Sequence, residues 1–430
     1  MRAEITPPKK LEGAVLPPPD KSISHRAAIL NTFASGQATV TNFSPGADCA
    51  STVRCLRALG VTIELDAKAP GTMVVNGLGP HGLHEPTRVL DAGNSGTTMR
   101  LLTGLLASQP FLSILTGDRS LRSRPMGRIV KPLTLMGAEI LGRQGNTMAP
   151  LAIKGNSLRG IDYSLPVSSA QLKSALILAG LSAQGDTRLH QPAASRDHTE
   201  RMIRAMGADL KEDGLFLTIR PSALRAVDVY VPGDISAAAF WLVAACCHPK
   251  ARVRIEGIGI NPYRTGILDA LLSMGAKVAF SDRRDEGGEP VADLTVESSG
   301  LKATEICGEM IPRIIDEIPV LAVAACFAQG TTVIRDAQEL RVKESDRIKT
   351  TLQELSKMGA KIEELPDGMI IQGTGFLKGA SCRSHGDHRM AMTLGIAGLL
   401  AQGETTVEGA EATSVSYPSF WQDLENLCQR

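Results

Sequence analysis

The stretch LSKMGAKIEEL at 355–365 has four counterparts in the chain: LRALGVTIEL at 56–65, LTLMGAEIL at 133–141, IRAMGADL at 203–210 and LLSMGAKVAF at 271–280. Each reads as the last turn of an amphipathic helix, then Gly, then a short strand. Gly directly after a helix-ending Leu or Met suits a left-handed cap, and the residues that follow suit an extended run. Recurrence at roughly 70 residues marks an internal repeat.

A second phrase joins it, a helix rich in small residues, a break, and a β-rich run. It appears as RAAILNTFASGQATV from Arg26, RLLTGLLASQPFLSIL from Arg100 and QLKSALILAGLSAQGDTRL from Gln171. It returns as FWLVAACCHPKARVRI from Phe240, IPVLAVAACFAQGTTVI from Ile318 and MAMTLGIAGLLAQGETTV from Met390. Helices apolar on most faces are buried helices. Six copies of helix–strand–helix–strand therefore predict an α/β protein with helices inside and sheets around them, in two groups of three. Pro232–Gly233 and the Pro17–Pro19 run are natural crossing points. One domain is expected at 20–232, and the other from residues 1–19 with 233–430. A plain solenoid of six units is the structural alternative.

Composition narrows the function. The chain has 430 residues, with 46 Lys+Arg against 45 Asp+Glu. That balance argues against a polyanion-binding surface over the whole molecule and leaves room for a local basic cleft. Aromatics are only 3% of the chain, so the stacking platforms of single-stranded nucleic-acid binders are missing. The longest apolar runs, Ala237–Cys247 and Ala391–Ala401, are about half of a bilayer span. MRAEITPPKK at the start has no signal-like apolar stretch. A cytoplasmic monomer with no nucleic-acid or membrane partner is the expectation. None of the eight cysteines forms a C-x-x-C pair, so neither structural zinc nor a disulfide framework is expected.

The polar chemistry collects where the buried helices begin: DKSISHR (20–26), GNSGTTMR (93–100), SSAQLK (168–173), GDIS (233–236), IDEIP (315–319) and GDHRM (386–390). Helix N-termini carry unpaired N–H groups and about half a positive charge, which favour anions. Brought together, these ends would make a polyanion pocket between the domains; taken singly, each is an ordinary N-cap. GDRSLRSRPMGR at 117–128, SRDHTER at 195–201 and ELRVKESDR at 339–347 add arginines whose forks suit phosphate and carboxylate oxygens. The inferred ligand is small and multiply anionic. Asp316, Glu317, Glu344, Asp346 and Asp387 lie among those cations. Asp316 and Glu344 are the best candidates for acid–base work, with internal salt bridging as the plain alternative.

Other motifs lead nowhere. GNSGTT lacks the spacing and Lys of a P-loop, SRDHTE lacks kinase context, and there is no G-x-S-x-G elbow. His385 and His388 have no evident third metal ligand nearby.

PDKSISHRA, GNSGTTMRLL, RPM, SSAQLKSA, ELRVKESDRI and DHRMAM, in this order, resemble the 5-enolpyruvylshikimate-3-phosphate synthase family over essentially the whole chain. The resemblance implies two inside-out α/β domains, each of three βαβαββ-like repeats, with an active site in the interdomain cleft. It implies transfer of the enolpyruvyl group of phosphoenolpyruvate to the 5-hydroxyl of shikimate 3-phosphate, on the route to chorismate and aromatic amino acids, with no cofactor or metal. It also implies roles. Lys21, Ser22, Arg26, Ser168, Ser169, Gln171, Arg196, Asp316 and Lys343 match shikimate 3-phosphate contacts. Lys21, Asn94, Gly96, Arg124, Gln171, Arg347 and Arg389 match the phosphoenolpyruvate site. Asp316 matches the base for the attacking hydroxyl, aided by Lys343, and Glu344 the group that protonates the methylene carbon; Lys21 belongs to the catalytic set.

Two departures qualify the resemblance. The family often has Lys before its Phe/Tyr–Pro pair, where VSYPSF here has Ser416. With SAQLK and RDHTE, this points to the class II branch often tolerant of glyphosate. That branch can carry Ala where this chain has Gly96. The rival reading is a UDP-N-acetylglucosamine enolpyruvyl transferase, which uses a loop Cys shortly before Arg-Pro. Here Arg119 stands at that distance from Arg124-Pro125, and no Cys falls between 56 and 245. A non-catalytic anion-binding relative is the other alternative.

Overall fold

A computed structural model describes residues 1–429. The backbone divides into two compact units. The first is Met1–Pro18, Pro232–Asp285 and Pro290–Arg430; the second is Pro19–Val231 with Glu286–Glu289. Among the described residues, six sheets and six buried helices make up the architecture, three of each per unit.

One repeat shows the logic. Strand Leu90–Asp91 leads to helix Gly96–Leu106, strand Leu112–Thr116, helix Gly127–Met136 and strands Glu139–Gly142 and Met148–Lys154. Leu112–Thr116 pairs in parallel with Leu90–Asp91 and antiparallel with Met148–Lys154, and Glu139–Gly142 takes the edge. A parallel neighbour requires a crossover, which the helix supplies. Asp162–Ser164 through Phe216–Ile219, and Glu305–Ile306 through Gly368–Gln372, follow the same order. The repeat is thus strand–helix–strand–helix–strand–strand. The first strand of each copy, only two or three residues long in these cases, is too short to leave a periodic signal in the sequence.

In two sheets that first strand comes from far along the chain. Val229–Tyr230 pairs in parallel with Ser35–Thr41. Lys10–Val15 pairs in parallel with Ala251–Gly259. Backbone pairing therefore ties the N-terminal segment to the later part of the chain.

The six small-residue helices are Lys21–Phe33, Gly96–Leu106, Ala170–Gly180, Ile235–Cys247, Ile318–Phe327 and His388–Leu400. In two of them every residue from Ile235 to Cys246 and from Ile318 to Cys326 is buried. Small side chains permit this: a methyl group on Gly104 would collide with the backbone of Ala175 in the neighbouring helix. The five Gly of the opening phrases, at 60, 137, 207, 275 and 359, have φ of 91°, 113°, 92°, 92° and 83°, the left-handed region that a Cβ disfavours.

Phe240, Trp241, Tyr417, Phe420 and Trp421 of the first unit form one aromatic cluster. Trp241 Nε1 donates to the Tyr417 hydroxyl at 3.0 Å and stacks on Phe420, fixing the segment that follows Ser416. Of the eight cysteines Cys307 is exposed, Cys247 and Cys428 are half-buried, and the other five are buried. No helix among the described residues is long and apolar enough to cross a membrane.

Candidate active site

In the second unit, Asp20 accepts from Ile23 N at 2.8 Å and starts helix Lys21–Phe33. Lys21 Nζ lies 2.9 Å from Asp48 Oδ2, with both side chains largely buried. Arg26 is 3% exposed. It donates to Thr199 Oγ1 at 2.7 Å, to Ser174 Oγ at 2.8 Å and to the Ser22 carbonyl at 2.9 Å, so it ties its own helix to two others. Burial, and then the charges of Lys21 and Arg26, hold the His25 imidazole well below its ordinary pKa. His25 is therefore neutral near pH 7 and adds no charge of its own.

The next helix start brings two guanidinium groups around one glycine. A methyl group on Gly96 would lie 2.7 Å from an Arg100 nitrogen and 3.5 Å from an Arg124 nitrogen. Arg124 donates to Asn94 Oδ1 at 2.5 Å, and Asn94 Nδ2 to Asp118 Oδ2 at 2.6 Å. Arg100 donates to Gln171 Oε1 at 2.6 Å, and Gln171 Nε2 to Thr97 Oγ1 at 2.9 Å. Ser169 accepts from Leu172 N at 3.3 Å as the cap of helix Ala170–Gly180. Ser168 and Arg196, from the connecting loops, are half-buried. Two positive side chains beside a glycine at a helix start suit a compact anion.

In the first unit Arg347 is the hub. It is 1% exposed and reaches Asp387 Oδ2 at 2.8 Å, Glu344 Oε2 at 2.6 Å and Asp316 Oδ1 at 3.2 Å. Lys343 Nζ shares Asp316 Oδ1 at 3.3 Å. Burial by itself would strip the Arg347 charge, but Asp387, Glu344 and Asp316 outweigh it and raise its pKa. Burial would likewise raise Asp387; the Arg347 charge and hydrogen bond, with help from His388, overcome that and the opposing Glu344 charge, and hold it below the ordinary value.

Asp387 also caps helix His388–Leu400, accepting from Arg389 N at 2.9 Å. Arg389 NH1 donates to the Ser236 carbonyl at 3.3 Å and sits 3.8 Å from Glu317 Oε1. The Ser236 hydroxyl bonds Glu317, and Arg264 holds Asp234 at 2.7 Å and Ser236 at 2.9 Å. Asp316, Lys343, Glu344, Arg347 and Arg389 thus form one polar network at three helix starts.

The sequence reading grouped Asp346 with the chemical carboxylates, yet it accepts from Lys349 N at 3.1 Å as a cap and pairs with Arg341 at 2.9 Å. It missed Asp48 and Arg264, which neighbour no motif and acquire meaning only through their partners. Asp48 could have been suspected from its place in the first turn of a helix. Among the described residues, no group of three or more His, Cys, Asp or Glu is placed to hold a metal ion.

The sequence model of EPSP synthase (3-phosphoshikimate 1-carboxyvinyltransferase) matches residues 5–424. The chain is 54% identical over 431 residues to the 3-phosphoshikimate 1-carboxyvinyltransferase of Herpetosiphon aurantiacus, covering 99% of each chain. It is 54% identical over 428 residues to that of Desulforudis audaxviator, again covering 99% of each. Among solved structures, EPSP synthase from Acinetobacter baumannii superposes with a TM-score of 0.87 at 42% identity, covering 99% of this chain and 98% of that one.

Proposed function

The chain belongs to the EPSP synthase family, and we propose that its two helix-start clusters serve one reaction, the joining of phosphoenolpyruvate to shikimate 3-phosphate. The enzyme is a 3-phosphoshikimate 1-carboxyvinyltransferase, and the product is 5-enolpyruvylshikimate 3-phosphate with release of phosphate.

Supporting this reading is one observation above the rest. Asp316 and Glu344, two carboxylates suited to proton transfer, are held on the same buried Arg347, with Lys343 on Asp316. In this mechanism Glu344, in its protonated form, gives its proton to the methylene carbon of phosphoenolpyruvate. C2 becomes electron-poor, and the 5-hydroxyl oxygen attacks it while Asp316 takes the hydroxyl proton. The C2–O bond to phosphate then breaks, the Glu344 carboxylate takes a proton back from the new methyl group, and the enol double bond is restored. Arg347 brings the two carboxylates to fixed positions, which is where acid–base catalysis gains its rate.

Both substrates are phosphates, so cations must offset their mutual repulsion and stabilise the departing phosphate. Lys21, Ser22, Arg26, Ser168, Ser169, Gln171, Arg196, Asp316 and Lys343 are assigned to shikimate 3-phosphate. Lys21, Asn94, Gly96, Gln171, Arg124, Arg347 and Arg389 are assigned to phosphoenolpyruvate, with Arg100 added because it flanks Gly96 with Arg124. Ser416 stands where the family often has Lys, so that lysine's contact is either missing or supplied by another group. Ser416 supports placement in the class II branch, together with SAQLK and RDHTE. The protein is taken to act as a cytoplasmic monomer, which sedimentation tests.

Phosphate release with phosphoenolpyruvate plus shikimate 3-phosphate, and none with UDP-N-acetylglucosamine as acceptor, is the expected result. The reverse pattern overturns the assignment.

A further inference from the structure

One buried ion pair in the second unit has no part in the proton transfers above. Lys173 Nζ lies 2.6 Å from Glu200 Oε1, with side chains 2% and 1% exposed. Lys173 sits on helix Ala170–Gly180 and Glu200 on helix His198–Ala205. The same ammonium donates to the backbone carbonyl of Ser195 at 3.1 Å. Ser195 immediately precedes Arg196, and its own hydroxyl donates to Gln191 Oε1 at 3.0 Å, which pins the loop at a second point.

The neighbouring residues on both helices repeat the contact. Ser174 Oγ and Thr199 Oγ1 share a hydrogen bond of 2.7 Å, and both accept from Arg26. Two adjacent side chains of one helix therefore meet two adjacent side chains of the other.

Stability alone is a poor reason to bury such a pair. Desolvating two charges is costly, and well-packed apolar replacements are often neutral or stabilising. What an ion pair adds is one defined geometry. We propose that Lys173 and Glu200 are positioning residues: the pair fixes the Ser195 carbonyl, and through it sets the backbone that presents Arg196 to the phosphate of shikimate 3-phosphate. This inference rests on the functional reading above.

The test is Lys173→Met/Glu200→Leu, which removes both charges together and leaves neither buried alone. The KM for shikimate 3-phosphate is expected to rise about tenfold, with KM for phosphoenolpyruvate and kcat within about twofold of the parent enzyme. A loss of folded protein lowers the apparent kcat and leaves both KM values in place, so the split separates positioning from stability. Repeated in an Arg196→Ala background, the same double change is expected to move the shikimate 3-phosphate KM by less than about twofold, because the group it positions is gone.

An unchanged KM in the double variant overturns the proposal, as does an equal rise in both backgrounds. Lys173→Gln/Glu200→Gln supports the same comparison if the apolar variant is insoluble. A parent enzyme that does not turn over shikimate 3-phosphate at all overturns the functional reading instead.

Discussion

Arg347 Nε donates to Asp387 Oδ2 at 2.8 Å, and neither side chain has more than 1% of its surface exposed. The partners are 40 residues apart in sequence. Asp387 thereby caps one buried helix while holding the cation that gathers Asp316 and Glu344.

This pair makes stability depend on acid. Asp387 is held below its ordinary value of 3.8, so as pH falls the unfolded chain takes up that proton before the folded one does. The stabilisation is therefore complete above the unfolded value and is lost as pH falls through the folded value. Asp387→Asn cannot titrate. It is expected to have a lower urea midpoint at pH 7 and a shallower loss of stability below about pH 4. An acid limb as steep as that of the parent protein counts against this account.

Asp316→Ala and Glu344→Gln are expected to bind both substrates while turnover falls by about two orders of magnitude or more, the usual worth of a general acid or base. Isothermal titration and a phosphate-release assay read the two quantities separately. Unchanged turnover in both variants removes the roles assigned to them.

Gly96→Ala puts a methyl group 2.7 Å from the Arg100 guanidinium. The side-chain end is flexible and can shift, at the expense of its 2.6 Å bond to Gln171. The expected outcome is a several-fold higher KM for phosphoenolpyruvate, about 1 kcal/mol of lost binding, with thermal stability little changed. If glyphosate occupies the same space, its inhibition constant rises by more than that KM. Inhibition kinetics on the parent and the variant decide whether this chain is tolerant before or only after the change.

Cys307 is the one exposed thiol. Burial pushes Cys55, Cys246 and Cys326 up to about 12, and Cys382 up to about 11, so few of these are thiolate at neutral pH. A chromogenic disulfide reagent at pH 8 is expected to label Cys307 rapidly in the native protein, the half-buried Cys247 and Cys428 more slowly, and the five buried thiols only after denaturation. Cys307→Ser should abolish the fast phase and leave turnover unaltered. Fast labelling of the five buried thiols would mean that the buried helices open readily.

The periodic part of the architecture was open to reading from the residues themselves. The Gly after each amphipathic helix, the small-residue runs, and the polar residues that begin them follow from backbone conformation and packing volume, which act over a few neighbouring positions. The resemblance carried by six motifs supplied the reaction, and the matches over nearly the full length uphold it.

Side-chain pairing was not open to reading in that way. Nothing local marks Asp48 as the partner of Lys21, Thr199 as an anchor for Arg26 across 173 positions, or Glu200 as the counter-charge of Lys173. Asp346 and Asp387 look alike in sequence, each one residue before a helix, yet one pairs with Arg341 and the other holds the buried Arg347. A carboxylate's role depends on which cation lies within about 4 Å and how much water remains around both. Those two quantities exist only once distant segments have packed together, and for that reason the tertiary structure alone decided them.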